Sequence, residues 1–275
     1  MKINNYYNLP PGLVSIIRDE SHPPKKNRFG TTQLIGPPLI RTLLLEKWDD
    51  LESDVSDYLW ALLGTGVDKL VSSATDAESV RQHKMEREIG DYTLVGVADV
   101  INDDILADWK CTSCWSYLNG IKPEWVAQLN VYDWMYSKEK KKDDVPIRHL
   151  KIYAILRDWQ KSKVVDPNYP KIPFQISYIP QWTREQQEGY INSRILDHTS
   201  NPYRECTPEE KWQRDTTYAV KSKGKKRAER VLDSSVAAEE WMKKNRKGDY
   251  IETRKGVCIR CSDYCPVRGV CKYRS

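Results

Sequence analysis

The chain has 275 residues, a net charge of +5 and 30% charged residues. This length supports one large domain, or one domain with an appendage, and a core that needs no crosslinks. No stretch is apolar for long enough to span a membrane, and the N-terminus lacks the basic-then-apolar pattern of a secretory signal. We therefore expect a soluble cytoplasmic protein without a membrane partner, located in a bacterial host cell if a phage encodes it.

The predicted elements divide the chain into three parts. Residues 1–50 mix proline-rich turns with short apolar runs and predict an irregular, partly helical arm. Residues 51–200 predict an α/β core, in which apolar periodicities of helices and strands alternate. Residues 201–275 form a basic, cysteine-rich segment that we expect to close onto the core. The expected core elements are a helix at 55–72, strands at 84–89, 92–101 and 104–110, a helix at 123–138, strands at 149–159 and 172–180, and a helix at 183–199.

A predicted hairpin in the core carries two acidic residues and a lysine. Asp99 lies on its first strand, and Asp108 and Lys110 lie on its second. Residues two apart on a strand share a face, so Asp108 and Lys110 project together. Carboxylates at this spacing suit a hard divalent cation, and the lysine suits a phosphate or a developing charge. In a chain this charged, ordinary surface strands remain the alternative.

The next helix adds a polar pair. Gln128 and Tyr132 are four residues apart, so they share one helix face soon after the Asp-x-Lys strand. Upstream, Asp68 lies at a helical position before the first strand. The tryptophans near this region, among them Trp109, Trp115, Trp125 and Trp134, are expected mainly in the core, with base stacking as the alternative.

In this order the motifs resemble those of the RecB-type nucleases of the PD-(D/E)xK superfamily, which include AddB-like repair nucleases, CRISPR-adaptation exonucleases and phage exonucleases. In that family a helix with G-x-x-x-H precedes an Asp strand, a D/E-x-K strand and a Q-x-x-x-Y helix. Residues 55–136 match this order, except that Asp68 stands where the family has histidine. The resemblance implies a restriction-endonuclease-like fold, with a central mixed sheet flanked by helices. It also implies Mg²⁺ or Mn²⁺ bound by Asp68, Asp99, Asp108 and the main-chain carbonyl of Trp109.

The resemblance also implies roles for the polar residues around this cation. Lys110 would act on the nucleophile or on the developing charge, and Gln128 and Tyr132 would steady the nucleic acid or the lysine. Superfamily members often use an upstream glutamate. Glu86 is the preferred candidate for it, with Glu88 as the alternative.

Four of the seven cysteines crowd the end of the chain, at Cys258, Cys261, Cys265 and Cys271. In an intracellular protein such clustering indicates a metal rather than disulfides. Zinc and an iron–sulfur cluster both suit this ligand set, and spacing alone does not separate them.

The stretches CTPEEKW, AVKSKGKKRA and RCSDYCPVRGVC resemble the C-terminal pattern of phage-type relatives with an iron–sulfur cluster. The resemblance implies a 4Fe-4S cluster held by Cys206, Cys261, Cys265 and Cys271, with Cys258 as an additional thiol. Two alternatives stay open: Cys258 takes the place of Cys206, or Zn²⁺ takes the place of the cluster.

A basic run lies between these motifs, and we expect it to bind DNA or to form a solvated helix face. Its members are Lys221, Lys223, Lys225, Lys226 and Arg227. The resemblance implies a metal-dependent deoxyribonuclease, an exonuclease on single-stranded DNA or duplex ends in phage-type recombination or repair. Its partners would be DNA and recombination or repair proteins, and its oligomeric state is open. The other hypotheses are a non-catalytic DNA-binding or assembly module that keeps the nuclease fold, and a zinc-stabilised structural protein.

Overall fold

The computed structural model describes residues 1–73, 80–139 and 145–274. They divide into two compact units, Met1–Tyr203 and Arg204–Ser275. The strands of the first unit are β1 (Lys2–Asn4), β2 (Arg28–Gly30), β3 (Glu52–Asp54), β4 (Val80–Ile89), β5 (Tyr92–Asn102), β6 (Ile105–Thr112), β7 (His149–Leu156) and β8 (Phe174–Ile179). Its helices are α1 (Pro11–Asp19), α2 (Thr31–Ile35), α3 (Pro38–Glu46), α4 (Leu59–Ser72), α5 (Cys114–Leu118), α6 (Pro123–Ser137) and α7 (Arg184–Ser200).

The predicted α/β class, with a central mixed sheet flanked by helices, is confirmed. The main sheet joins β2, β5, β6, β7 and β8 in that order, and β4 pairs with β5. The β2–β5 and β6–β7 pairs are parallel, and the other pairs are antiparallel. The first fifty residues are more regular than expected, since they contribute β2 to this sheet. Of the helices in the described ranges, none is both long and apolar enough to cross a bilayer.

The middle of β5 has no paired strand on one of its two edges. One edge of β5 pairs with β4 along nearly its whole length. The other edge pairs with β2 at residues 93–95 and with β6 at residues 100–102. Residues 96–99 therefore have no strand partner on that edge. This gap places Asp99 where β5 and β6 separate.

Helix α6 is buried along most of its length and is anchored by polar side chains. Asp133, 1% exposed, accepts hydrogen bonds from Gln187 Nε2 at 2.8 Å and from Gln181 Nε2 at 2.9 Å, and it pairs with Arg184 at 3.0 Å. Asn130 Oδ1 accepts from the backbone N–H of Trp182 at 2.7 Å. Since buried polar groups need partners, these contacts fix the helix against the N-terminal part of α7.

The second unit has its own sheet and a small core. Strands β9 (Thr217–Lys221), β10 (Arg230–Leu232) and β11 (Tyr250–Arg254) form an antiparallel sheet with β9 in the centre, and the unit's helix is α8 (Ser235–Asn245). Its buried apolar residues are Ala219, Val220, Ala238 and Val267. The basic run begins at the last residue of β9 and continues in the loop before β10, so it does not form a helix face.

Candidate active site

The two strands of the acidic hairpin separate at the site. Their ladder ends at the pair Val100 and Ala107. Beyond it, the Asp99 carboxylate accepts a hydrogen bond from the backbone N–H of Trp109 at 2.8 Å. The N–H and C=O of one strand residue point to the same side, so the Trp109 carbonyl also faces β5. Asp99 and this carbonyl therefore lie at the same opening in the sheet.

Asp108, Lys110 and Gln128 form one connected group. Asp108 is 2% exposed, and Lys110 Nζ pairs with its Oδ2. The Gln128 amide joins the two, because its Oε1 accepts from Lys110 at 3.0 Å and its Nε2 donates to Asp108 Oδ1 at 3.1 Å. Asp108 Oδ2 makes no well-aligned hydrogen bond of its own, although it is buried beside the lysine. A buried carboxylate oxygen of this kind favours a cationic partner.

The carboxylates of the site repel one another. Burial, and then the negative charge of Asp108, raises the pKa of Asp99 to about 7. Burial raises the pKa of Asp108 as well, while Lys110 opposes that rise. The charge of Asp68 raises both pKa values. The three carboxylates predicted to bind metal are therefore within electrostatic range of each other, and a bound cation would relieve their repulsion.

Asp68 is held by Gln82, a residue outside the motifs found in the sequence. Gln82 Nε2 donates to both carboxylate oxygens of Asp68 at 2.9 Å. In β4, Gln82 lies between Arg81 and His83, which pair with Val100 and Ala98 on either side of Asp99. Its φ of +51° is in the left-handed region, which a glutamine rarely adopts. No sequence signal marks this position, because the backbone angle depends on the folded sheet.

Glu86 lies apart from this group. It is opposite Val95, four residues along β5 from Asp99, or about 13 Å at the usual rise. Both of its carboxylate oxygens bind Arg28, at 2.5 and 3.0 Å, and this contact lowers its pKa. The contacts of Glu86 are therefore those of an exposed ion pair.

Tyr132 completes the polar group from the helix side. Its hydroxyl accepts from Gln128 Nε2 at 3.1 Å, and burial, followed by the charge of Asp108, raises its pKa. Its ring lies directly on Gly96, where a Cβ would be 2.7 Å from Tyr132 Cε1 and 3.0 Å from Thr31 Oγ1. Glycine at this position allows the helix to approach the sheet closely enough for Gln128 to reach Asp108.

We expect Gly96→Ala to lower the free energy of unfolding by about 1–3 kcal/mol, as overpacked cores do. The added methyl group would displace the Tyr132 ring and loosen the Gln128 contacts. Urea unfolding would measure the loss, with Gly64→Ala as the control, since a Cβ at Gly64 meets nothing within 4 Å. Equal stability of the two variants would contradict this account of the packing.

Two further cations lie on the lysine side of the site. Burial lowers the pKa of Lys122, and the positive charges of Arg157 and Lys110 lower it further. The backbone N–H of Arg157 donates to the carbonyl of Thr112 at 2.9 Å, two residues beyond Lys110 in β6. Positive side chains therefore continue outward from Lys110.

In the second unit, the charges of three C-terminal cysteines act on Cys206. Burial raises the pKa of Cys206 to about 12, and the charges of Glu210, Cys265, Cys261 and Cys271 raise it too. Cys258 and Cys261 both raise the pKa of Lys211, whose main contact is with Glu205. None of the seven cysteines, all within the described ranges, forms a disulfide. The predicted fourth ligand, Cys206, is thus within electrostatic range of the C-terminal triplet.

As the side chains stand, no group of three or more His, Cys, Asp or Glu residues in the described ranges could hold a metal ion. The donor set around Asp99 and Asp108 still has the chemistry of a hard-cation site, with carboxylate oxygens, a carbonyl oxygen and one buried oxygen without a well-aligned hydrogen bond. These residues fit a divalent cation by their chemistry, and the Lys110–Asp108 ion pair at present balances the charge.

No protein-family model and no curated protein matches this chain. The chain is similar to the crystal structure of SSO0001, with 18% identity and a TM-score of 0.45 over 68% of this chain and 85% of that one. It is also similar to LHK-Exo, an alkaline exonuclease from Laribacter hongkongensis, with 8% identity and a TM-score of 0.41 over 64% of this chain and 90% of that one. Both likenesses are too distant to assign a family, so the function rests on the side chains of the site.

Proposed function

We propose that this protein is a metal-dependent deoxyribonuclease that hydrolyses phosphodiester bonds, with Asp68, Asp99, Asp108 and the Trp109 carbonyl as ligands for Mg²⁺ or Mn²⁺. The observation that carries the proposal is the buried Asp108 carboxylate, joined to Lys110 through Gln128 and repelled by Asp99. Such an arrangement is costly for folding alone, since buried like charges destabilise a protein. Costly charge groups of this kind are typical of functional sites.

The cation would polarise a phosphate oxygen and make water a stronger nucleophile at neutral pH. The protein's own groups provide position and charge. Gln128 fixes the ammonium group of Lys110 next to Asp108, so the lysine is already placed to stabilise the negative charge that develops on the phosphate. Tyr132 holds Gln128 from the other side. Asp99 accepts from the Trp109 amide and so keeps the two strands in place around the reacting phosphate.

The proposal is tested with end-labelled single-stranded and duplex DNA in the presence of Mg²⁺, Mn²⁺ or EDTA. We expect cation-dependent hydrolysis from an end, and the labelled products give the polarity and the strand preference. A chain that binds these substrates but cleaves neither with either cation would support the non-catalytic DNA-binding module instead. Cleavage in EDTA would contradict the metal-dependent mechanism.

We also propose that the basic run contacts the DNA backbone. Lys223, Lys226 and Arg227 are exposed on the loop after β9, whereas Lys221 pairs with Glu252 and Lys225 with Glu229. Replacing the three exposed cations with alanine should reduce the slope of log affinity against log salt by about 2 for single-stranded DNA. The control replaces Lys243, Lys244 and Lys255, which are exposed in the same unit outside the basic run, and it removes the same charge. An equal change in both proteins would indicate only a general charge effect.

For the cysteines we propose a 4Fe-4S cluster held by Cys206, Cys261, Cys265 and Cys271. The charges of Cys261, Cys265 and Cys271 all raise the pKa of Cys206, and this supports the set with Cys206 over the one with Cys258. After anaerobic purification, we expect Cys206→Ala to lose the bound metal and the visible absorbance, and Cys258→Ala to keep both. Metal analysis that finds zinc without iron would replace the cluster with a zinc site, and loss of metal only in Cys258→Ala would overturn the ligand set.

A further inference from the structure

Trp60 is an exposed ring on the first turn of α4, the helix that also carries Asp68. It keeps 61% of its surface accessible, although large aromatic side chains usually bury most of theirs. The guanidinium carbon of Arg157 lies 4.2 Å from the ring centre. One face of the indole is thus covered by a cation, while the remaining surface is open to solvent. An aromatic ring backed by arginine is a surface on which a second flat group can stack.

The position of this pair connects it to Lys110. Arg157 is bonded through its backbone to Thr112, two residues or about 7 Å along β6 from Lys110. Lys122 lies within electrostatic range of both Arg157 and Lys110, and its Nζ is 5.1 Å from the centre of the Trp125 ring. The exposed ring is therefore followed by a run of positive charge that leads to the Asp108–Lys110 group.

We propose that Trp60 and Arg157 form a stacking subsite for an unpaired base of single-stranded nucleic acid, with Lys122 and Lys110 facing the adjacent phosphates. This inference rests on the proposed nuclease function and adds a preference for unpaired strands next to the site. Exposed aromatic rings alternating with basic side chains are the usual means of binding single strands without sequence preference. Bases inside a duplex are stacked on each other, so they cannot offer a free face to Trp60.

The test measures binding of fluorescein-labelled oligo(dT) of twelve nucleotides by anisotropy, with Ca²⁺ as the cation. We expect Trp60→Ala to weaken binding about tenfold, the range of one base–aromatic stack, and Trp60→Tyr to restore it to within about threefold. Tyr178→Ala is the matched control. Tyr178 is also an exposed ring, 65% accessible, with Lys151 Nζ 5.2 Å from its centre. Lys151, near the start of β7, is six positions before Arg157, which follows the end of that strand, a span of up to about 20 Å.

A second oligonucleotide, with abasic sites in place of the bases, separates stacking from charge. The wild-type protein should prefer the intact strand, and Trp60→Ala should lose this preference. The proposal is wrong if Trp60→Ala and Tyr178→Ala weaken binding equally, if the wild type binds both strands equally, or if it binds a blunt duplex as tightly as oligo(dT). Tight base-dependent binding without hydrolysis in Mg²⁺ or Mn²⁺ would reject the nuclease and keep the subsite. Hydrolysis of single strands that is unchanged in Trp60→Ala would reject the subsite alone.

Discussion

Asp108→Asn and Lys110→Ala should each lower kcat for phosphodiester hydrolysis by about 10²- to 10³-fold, the loss typical of removing one preorganised charged group. Asp108→Asn removes the charge of a buried carboxylate but keeps its shape. The asparagine oxygen can still accept from Gln128 Nε2, so the fold should survive. Lys110→Ala removes the ammonium group that Gln128 holds next to Asp108.

Matched controls are available on the same sheet. Asp104→Asn changes a carboxylate in the turn of the same hairpin. Among the described contacts, the Asp104 carboxylate has one ion pair, a long one with His149 at 3.9 Å. Lys151→Ala removes a lysine from the neighbouring strand β7. Both should retain activity within about threefold. Circular dichroism and thermal unfolding would check folding, and wild-type activity in folded Asp108→Asn or Lys110→Ala would contradict the mechanism.

Cation binding should stabilise the protein strongly and more so at higher pH. At a Mn²⁺ concentration of one hundred times Kd, the free energy of unfolding should rise by about 2.7 kcal/mol. The pKa of Asp99 is raised from 3.8 to about 7, so between these values the folded state binds more protons than the unfolded state. The stability of the metal-free protein therefore falls as pH rises through this window. Mn²⁺ binds the deprotonated carboxylates, so its apparent affinity rises up to about pH 7 and binding releases protons.

Thermal unfolding at pH 6 and pH 8, with and without Mn²⁺, would measure this dependence. Calorimetry in two buffers of different ionisation enthalpy would count the released protons. Asp99→Asn provides the control, because its amide oxygen can still accept from the Trp109 amide. This variant should be more stable than the wild type at pH 8 without metal and should gain little from Mn²⁺. The same Mn²⁺ effect at both pH values, in both proteins, would show that Asp99 is not a ligand.

Much of the central unit could be predicted because its elements have clear periodicity. The strand at His149–Leu156 alternates buried residues with exposed or half-buried ones. The side-chain oxygen of Thr183 caps α7, since it accepts from the backbone N–H of Gln186 at 3.2 Å. The Asp-x-Lys spacing predicted that Asp108 and Lys110 share a face, and in the structure both side chains also contact Gln128. Of the tryptophans expected mainly in the core, Trp125 and Trp134 are buried there, whereas Trp115 is 65% exposed.

Other features depend on tertiary pairing and left no local signal. Strand β2 is only three residues long, too short for a detectable alternation, and it is defined by its pairing with β5. The role of Gln82 depends on a left-handed backbone angle within a strand. Asp133 looks like an ordinary polar residue in the sequence, yet it is buried against Gln187 and Arg184. Trp60 and Arg157 are in contact although they are almost one hundred residues apart in the sequence, so no local pattern predicts this pair.

The gap along β5 has a mechanical consequence. Strand β6 shares three residue pairs with β5 but eight with β7, so the sheet has a narrow seam that the Asp99–Trp109 hydrogen bond closes at one end. Asp99 belongs to one side of this seam, and Asp108 and Lys110 belong to the other. An ion held between them would join β5 to β6 where only three residue pairs connect these strands. Amide hydrogen exchange at the Trp109 N–H should then slow when the ion binds, so the same ligand would drive chemistry and hold the two halves of the sheet together.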